Sequence, residues 1–309
     1  MSEITLPVVA KTAKADSNIA SRPIWGAHLF VPANNAGFLE KLPLLTVKNI
    51  IIDMEYATKI PYKLEGRHLC KAAIGYIRQV RPDIGVAVRT NLYKAGQLFL
   101  DDLLTVAVAA PNAIRIPSVS EPSEVAHADE LLSDIENTHG LLPGSIKLHP
   151  MIETPEGLHH AYAIATASPR VEALCLGGED WAYNCGLERS QIGKELEHVK
   201  FELIAAASRA QVTPVDSVYN WINDLDGLAE DCNISFTIGM KARATINPRQ
   251  IKIIDNVYKP SKYKIDWAKN LLAGLSEMYF DGRTHYISNG VINDILAISQ
   301  ARAILANAN

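Results

Sequence analysis

Short apolar runs alternate with longer helix-like stretches along most of this chain, and that alternation constrains its fold more than any other feature. Eight runs read as strands: AHLFVPA (27–33), NIIIDME (49–55), GVAVRTN (85–91), AIRIPSV (113–119), IKLHPMIE (146–153), VEALCLGGED (171–180), VTPVDSVY (212–219) and FTIGMKARAT (236–245). Between them, EGRHLCKAAIGYIRQV and AGQLFLDDLLTVAVA carry apolar residues at helical spacing. EPSEVAHADELLSDIENT and SQIGKELEHVKFELIAAASRAQ are good helix formers, and PEGLHHAYAIATA opens on Pro155 and Glu156, both favoured in a first helical turn.

Strands alternating with helices imply a parallel sheet covered by helices. Eight units in about 225 residues fit a closed (β/α)8 TIM barrel. A doubly wound open sheet is the alternative, disfavoured because no G-x-G-x-x-G follows the first strand, which ends in VPANN. The expected layout is an N-terminal arm over 1–24, the barrel over 25–250 and a C-terminal helical extension over 251–309. In that extension IDWAKNLLAGLSEMYF and VINDILAISQARAILANA read as two helices joined by the turn-rich DGRTHYISNG.

With 309 residues, 48% hydrophobic and 21% charged, the chain can bury a sizeable core. A net charge of -4 gives no electrostatic reason to expect nucleic acid or an anionic membrane as partner. No apolar run approaches the ~20 residues of a membrane span, and the first 22 residues lack the apolar core of a signal peptide. Cys70, Cys175, Cys185 and Cys232 form no C-x-x-C pair and read as reduced thiols of a cytoplasmic protein.

Barrel enzymes place their chemistry at the C-terminal ends of the strands. There the sequence puts Asp53 and Glu55 (strand 2), Arg89 and Asn91 (strand 3), Glu153 (strand 5), Glu179 and Asp180 after Gly177-Gly178 (strand 6), and Asp216-Ser217 (strand 7). Glu153 and Asp180 come from adjacent strands, and two carboxylates with room for water suit Mg²⁺. Arg89 supplies a planar fork for a carboxylate or enolate oxygen. A metal beside an arginine is what a 2-oxo or 2-hydroxy acid needs.

Each residue also has a plainer reading. Glu153 stands before Thr-Pro and could cap the next helix. Arg89 could bridge carboxylates structurally, and Gly177-Gly178 could serve close packing. His159-His160 lies on a helix without an H-E-x-x-H pattern, and His149 reads as a core histidine. Lys41 and Lys59 read as surface charges, and no G-x-S-x-G or P-loop is present.

In order, LFVPANNAGFLEK, IIDMEYA, VRTN, IETPEG, SPRVEALCLGGEDWAYNCG, VDSVY and INPRQI resemble the blocks of the citrate lyase beta-subunit-like proteins, within the acyl-CoA lyase and 2-oxo acid aldolase superfamily. The resemblance runs from about residue 27 to 258. It implies a (β/α)8 barrel, a homotrimer or hexamer, and cleavage or formation of a C–C bond between a 2-oxo acid and an acyl thioester. It further implies Glu153 and Asp180 as Mg²⁺ ligands, Arg89 facing the oxo acid, the backbone of Gly178 and Glu179 beside the bound acid, and Glu55 as a supporting carboxylate. The sequence departs from the usual pattern in several places. Asp-Leu-Glu-Asp is Asp53-Met54-Glu55-Tyr56, Arg-Ser is Gly26-Ala27, and the glycine after the strand-1 proline is Ala33. The strand-4 lysine is Ser118, and the C-terminal aspartate is missing near Ser288.

The function expected on this basis is an Mg²⁺-dependent carbon–carbon lyase acting on a hydroxyacyl-CoA such as citryl-CoA, malyl-CoA or citramalyl-CoA, with Glu55 or a metal-bound water as candidate base. The alternatives are a CoA-independent 2-oxo acid aldolase or condensing enzyme, and a barrel that binds without turnover.

Overall fold

The computed structural model describes residues 24–259, 262–273, 286–288, 291–293 and 295–306. The expected N-terminal arm therefore lies outside the described residues, Ile24 excepted. Eight parallel strands close into a barrel in sequence order: β1 Gly26–Pro32, β2 Asn49–Asp53, β3 Gly85–Arg89, β4 Ala113–Ile116, β5 Lys147–Ile152, β6 Ala173–Leu176, β7 Thr213–Asp216 and β8 Ala242–Thr245. Closure is the β1–β8 pairing, from Gly26 against Ala242 to Leu29 against Thr245.

Alternation along the strands divides the apolar residues into two sets. Ile50, Ile52, Val86, Val88, Ile114 and Leu174 face the surrounding helices in one continuous core. Ile51, Ala87 and Ala113, and Met151, Ala173, Cys175, Val215 and Ala242, fill the lumen as two small clusters. The lumen is lined largely by small residues, which leaves room for the buried polar side chains His28, Arg115 and His149.

The helices Lys63–Val80, Gln97–Val106 and Pro122–His139 stand where the periodicity puts them. Others are shorter than expected. The helix after β5 breaks at His160 into Pro155–His159 and Ala161–Thr166, and the one after β6 proper runs Glu197–Ala210 behind a 3₁₀ turn.

Two strand expectations need correction. The run FTIGMKARAT is not all strand: its first three residues end the helix Leu225–Ile238, which stops at Gly239 with φ +128°, and β8 begins only at Ala242. A short apolar run fits helix and strand alike, and the glycine marks the helix stop. Likewise β6 ends at Leu176, and Glu179 and Asp180 lie in the first turn of the helix Gly178–Asn184.

The C-terminal region also differs from the expectation of helices alone. The helix Ile251–Tyr258 belongs to the barrel: Ile251, Ile254 and Tyr258 join the main core, and Asp255 accepts a hydrogen bond from the Ala27 amide at 2.9 Å. Beyond it, the helices Lys262–Ala273 and Ile295–Ala306 pack through Ala268, Leu271 and Ala301 in a cluster of their own. An antiparallel pair stands there instead: β9 Tyr286–Ser288 lies in the expected turn and β10 Val291–Asn293 takes the first residues of the expected helix, which starts four residues later than its apolar run. Among the described residues, no helix is long and apolar enough to cross a membrane.

Candidate active site

At the C-terminal mouth lies a cavity of about 300 Å³ whose walls include Phe30, Asp53, Tyr56, Arg89, Arg115, Glu153, Asp180 and Ser217. A second cavity, about 180 Å³, opens at the other end among His28, Asn112, Lys147 and Glu172. The carboxylates and arginines singled out at the strand ends gather at the first.

Glu153 directly follows β5 and is 2% exposed. It does not cap the next helix: Thr154 does, its Oγ1 accepting from the Gly157 amide at 3.0 Å. That leaves the Glu153 carboxylate for the cavity. Its Oε2 accepts from Ser118 Oγ at 2.6 Å, while Oε1 is buried without a hydrogen-bond partner. The close approach of β6 requires Gly177, since a Cβ there would overlap Glu153 Oε1. Burial raises the Glu153 pKa to about 7; the Ser118 hydrogen bond opposes this and the Asp180 charge adds to it.

Arg89 is less free than its sequence position suggests. Asp53 takes its Nε at 2.8 Å and Nη2 at 2.7 Å, and Nη1 lies 3.0 Å from Glu55 Oε2. These carboxylates hold the guanidinium charged despite the opposing cost of burial, with its pKa raised. Its Cζ lies over the Phe30 ring, 4.7 Å from the centroid. Arg89 still lines the cavity, whereas Glu55 sits behind it and is not on the wall. Burial pushes Glu55 up to about 8, against the pull of Arg89 and with help from Glu153, Asp53 and Asp180.

Asp180 is held by Tyr56, whose hydroxyl donates to Oδ1 at 3.1 Å. Burial first, and the Asp180 charge second, raise the Tyr56 pKa to about 12, so the phenol keeps the proton it donates. The Glu179 side chain forms an ion pair with Arg189 at 2.8 Å, and Glu179 and Gly178 both line the cavity. Asn91 is not in the site: it bonds Asp102 at 2.7 Å, which also pairs with Arg67. Asp216 likewise faces the helices, pairing with Lys200 at 3.1 Å and Arg243 at 3.3 Å. Its neighbour Ser217 reaches the cavity.

His149 is a core histidine, bonded through Nε2 to Glu172 at 2.9 Å. His160 meets Ser120, Glu121 and Glu156 on the exposed rim of its helix. Of the positions where the sequence departs from the usual pattern, Tyr56 and Ser118 are in the site, and Ala33 is buried just past β1. Gly26 is not: it begins β1, a strand length of roughly 20 Å from the mouth.

Four participants carried no role in the sequence reading: Phe30, Asp53 as the partner of Arg89, Ser118 and Arg115. Arg115 forms part of the cavity wall and lies 3.2 Å from His28. A charged residue in the middle of an apolar strand was the available signal for it.

The donor set fits a divalent cation. Asp53, Glu55, Glu153 and Asp180 stand against two arginines, Arg89 and Arg115, so full ionisation of the four would leave two negative charges for a cation to balance, and one buried oxygen, Glu153 Oε1, lacks any partner. Such hard oxygen donors suit Mg²⁺.

A closed parallel barrel with carboxylates and arginines gathered at its C-terminal mouth has the layout of a barrel enzyme's active site. The chain belongs to the HpcH/HpaI aldolase/citrate lyase family, which matches residues 27–248. It is 30% identical over 280 residues to the citrate lyase subunit beta of Haemophilus influenzae, covering 91% of this chain and 95% of that one. It is 26% identical over 299 residues to the L-malyl-CoA/beta-methylmalyl-CoA lyase of Cereibacter sphaeroides, covering 91% and 93%. These relatives are carbon–carbon lyases, the enzyme class the sequence leads one to expect. Among solved structures, a citrate lyase from Burkholderia xenovorans superposes with a TM-score of 0.79 at 19% identity, covering 94% and 93%. The CitE protein of Mycobacterium tuberculosis, solved with magnesium, acetoacetate and coenzyme A, gives 0.71 at 22%, covering 93% and 99%. At these identities the structural likeness speaks to the fold.

Proposed function

We propose that this chain is an Mg²⁺-dependent carbon–carbon lyase that cleaves, or forms, a hydroxyacyl-CoA thioester of the citryl-CoA, malyl-CoA or citramalyl-CoA kind, giving a 2-oxo acid and an acyl-CoA. The observation that carries the reading is Glu153: a buried carboxylate with one unpartnered oxygen, beside Asp180, on a cavity sized for a small acid. Glu153 and Asp180 would hold the ion. When bound, Mg²⁺ supplies Lewis acidity toward the carbonyl oxygen of the oxo acid.

The chain's own residues supply the rest. Arg89, fixed by Asp53 and Glu55, offers its positive charge to the acid or to the enolate side of the broken bond. Glu55 holds that guanidinium in place and does not itself touch the cavity. The Phe30 ring under Arg89 keeps water off the guanidinium face. The free cysteines are consistent with a cytoplasmic enzyme, and we extend the proposal to a homotrimer or hexamer, which light scattering on the purified chain would check.

The test is release of pyruvate, glyoxylate or oxaloacetate from a panel of hydroxyacyl-CoAs with Mg²⁺ present. Turnover that EDTA abolishes and Mg²⁺ restores supports the proposal; a folded protein with no turnover on any of them overturns it. The departures at Gly26, Ala33, Tyr56 and Ser118, two of which touch the site, favour one further reading, a CoA-independent aldolase using the same metal and oxo acid half. Turnover of free hydroxy-oxo acids, without the thioesters, would select it.

A further inference from the structure

Each proposed metal ligand is touched by one hydroxyl, from the adjacent β4 end for Glu153 and from the β2 end, across the mouth, for Asp180. Ser118 Oγ donates to Glu153 Oε2 at 2.6 Å, and Tyr56 Oη donates to Asp180 Oδ1 at 3.1 Å. A carboxylate has two oxygens, and the one that accepts a hydroxyl proton is oriented by that bond. In Glu153 the other oxygen, Oε1, is buried and unpartnered. In Asp180 the bond to Tyr56 engages Oδ1 alone.

The backbone around Glu153 reinforces this division. Ser118 adopts φ +48°, a left-handed conformation that disfavours non-glycine residues. Strain of this kind persists where surrounding structure holds it and concentrates at functional sites. On the opposite side, Gly177 leaves space for Oε1 that any side chain would fill. Glu153 is thus held by a hydroxyl at one oxygen and by bare backbone at the other.

We propose that Ser118 and Tyr56 are positioning residues that select which oxygen of each ligand meets the cation, holding Glu153 Oε2 and Asp180 Oδ1 and presenting Glu153 Oε1 and Asp180 Oδ2. This rests on the metal reading above. One oxygen from each carboxylate leaves further positions on the ion for water and for a chelating oxo acid, the arrangement Mg²⁺ favours. The two residues are also sites of departure from the usual sequence pattern.

The test is Mn²⁺ binding to the full chain, followed by electron paramagnetic resonance, for wild type, Tyr56→Phe, Ser118→Ala and Ser118→Gly. Tyr56→Phe and Ser118→Ala should each weaken binding about tenfold or more, as loss of a partner that orients a ligand does. Ser118→Gly relieves the left-handed strain yet should weaken Mn²⁺ binding as much as Ser118→Ala, while the metal-free melting temperature stays level or rises. Because position 118 is tested by two substitutions and position 56 by a third, misfolding of one variant leaves the others decisive. Wild-type binding with all variants within about threefold of it would overturn the inference, as would wild-type affinity in Ser118→Gly alone. If wild type itself fails to bind Mn²⁺, the metal reading falls and this inference falls with it.

Discussion

Arg89 and Asp53 meet edge to edge, Nε to Oδ1 at 2.8 Å and Nη2 to Oδ2 at 2.7 Å. Strand register sets the pair: Asp53 and Arg89 are Cα partners of β2 and β3, so both side chains enter the barrel at one level. Asp53 is fixed in turn by the Glu55 and Ala57 amides, at 2.9 and 3.0 Å. The direction of the guanidinium is therefore built into the barrel before any ligand arrives.

Two substitutions separate charge from geometry at this pair. Asp53→Asn leaves a buried guanidinium short of its main partner and should cost about 3–5 kcal/mol of stability. Arg89→Lys keeps the charge but loses the planar fork, so stability should fall less while turnover drops about a hundredfold through misplacement. Urea denaturation and steady-state kinetics measure the two effects. An unchanged urea midpoint for Asp53→Asn would remove the structural claim.

Gly177→Ala places a methyl group against Glu153 Oε1. The expected result is a loss of about 1–3 kcal/mol from overpacking, together with weaker Mn²⁺ binding. Gly75→Ala is the control: nothing lies within 4 Å of its added Cβ in the helix Lys63–Val80. That change should raise stability by about 0.5–1 kcal/mol and leave metal binding alone. Equal metal affinity in both variants would contradict the role given to Gly177.

Proton and metal should compete for Glu153. Its folded pKa of about 7 lies above the ordinary 4.5, so the metal-free protein holds a proton there below pH 7. Apparent Mg²⁺ affinity should therefore fall about tenfold per pH unit below 7, for the one proton displaced. The same shift fixes the sign of the stability effect. The contribution of Glu153 is fully present below pH 4.5 and lost as pH rises through about 7; Glu55 behaves alike up to about 8. The melting-temperature increment given by saturating Mg²⁺ should grow from pH 5 to pH 8. A flat increment, measured by scanning fluorimetry, would count against a cation at this carboxylate.

The barrel was legible because its strands combine β-branched runs such as Ile50-Ile51-Ile52 with regular helical intervals. The start of β8 was not, since Phe236 to Met240 is apolar enough for either element and only the conformation of Gly239 decides. In the site, Glu153 and Asp180 could be read from strand ends one at a time. Arg89 could be placed that way too, but not its commitment to Asp53, which depends on which residues of two strands stand level. Ser118 and Tyr56 registered as departures from a pattern. Their hydrogen bonds to the ligands depend on side-chain directions that a linear reading does not contain. Glu179 lines the cavity as its place after two glycines suggests, but the ion pair that takes its charge, with Arg189 ten residues on, is not readable from the strand end.

Asp216 provides a case where a polar residue near the strand end is structural and should behave so. It is buried, which alone would raise its pKa, but Lys200 and Arg243 outweigh that and bring it down to about 2. A depressed carboxylate contributes stability that is present above its ordinary 3.8 and lost as pH falls through about 2. Asp216→Asn leaves Lys200 and Arg243 with Asp231 as their remaining acidic partner in the network, and should destabilise the protein by about 3–5 kcal/mol at neutral pH. The gap to wild type should narrow as the pH is lowered from 4 toward 2, because the wild-type aspartate then loses its charge as well. Since this network faces the helices behind β7 and β8, Mn²⁺ affinity at neutral pH should stay at the wild-type value in the folded variant. Denaturation curves across pH and a metal titration decide it; a variant that lost the metal while keeping its stability would place Asp216 in the site after all.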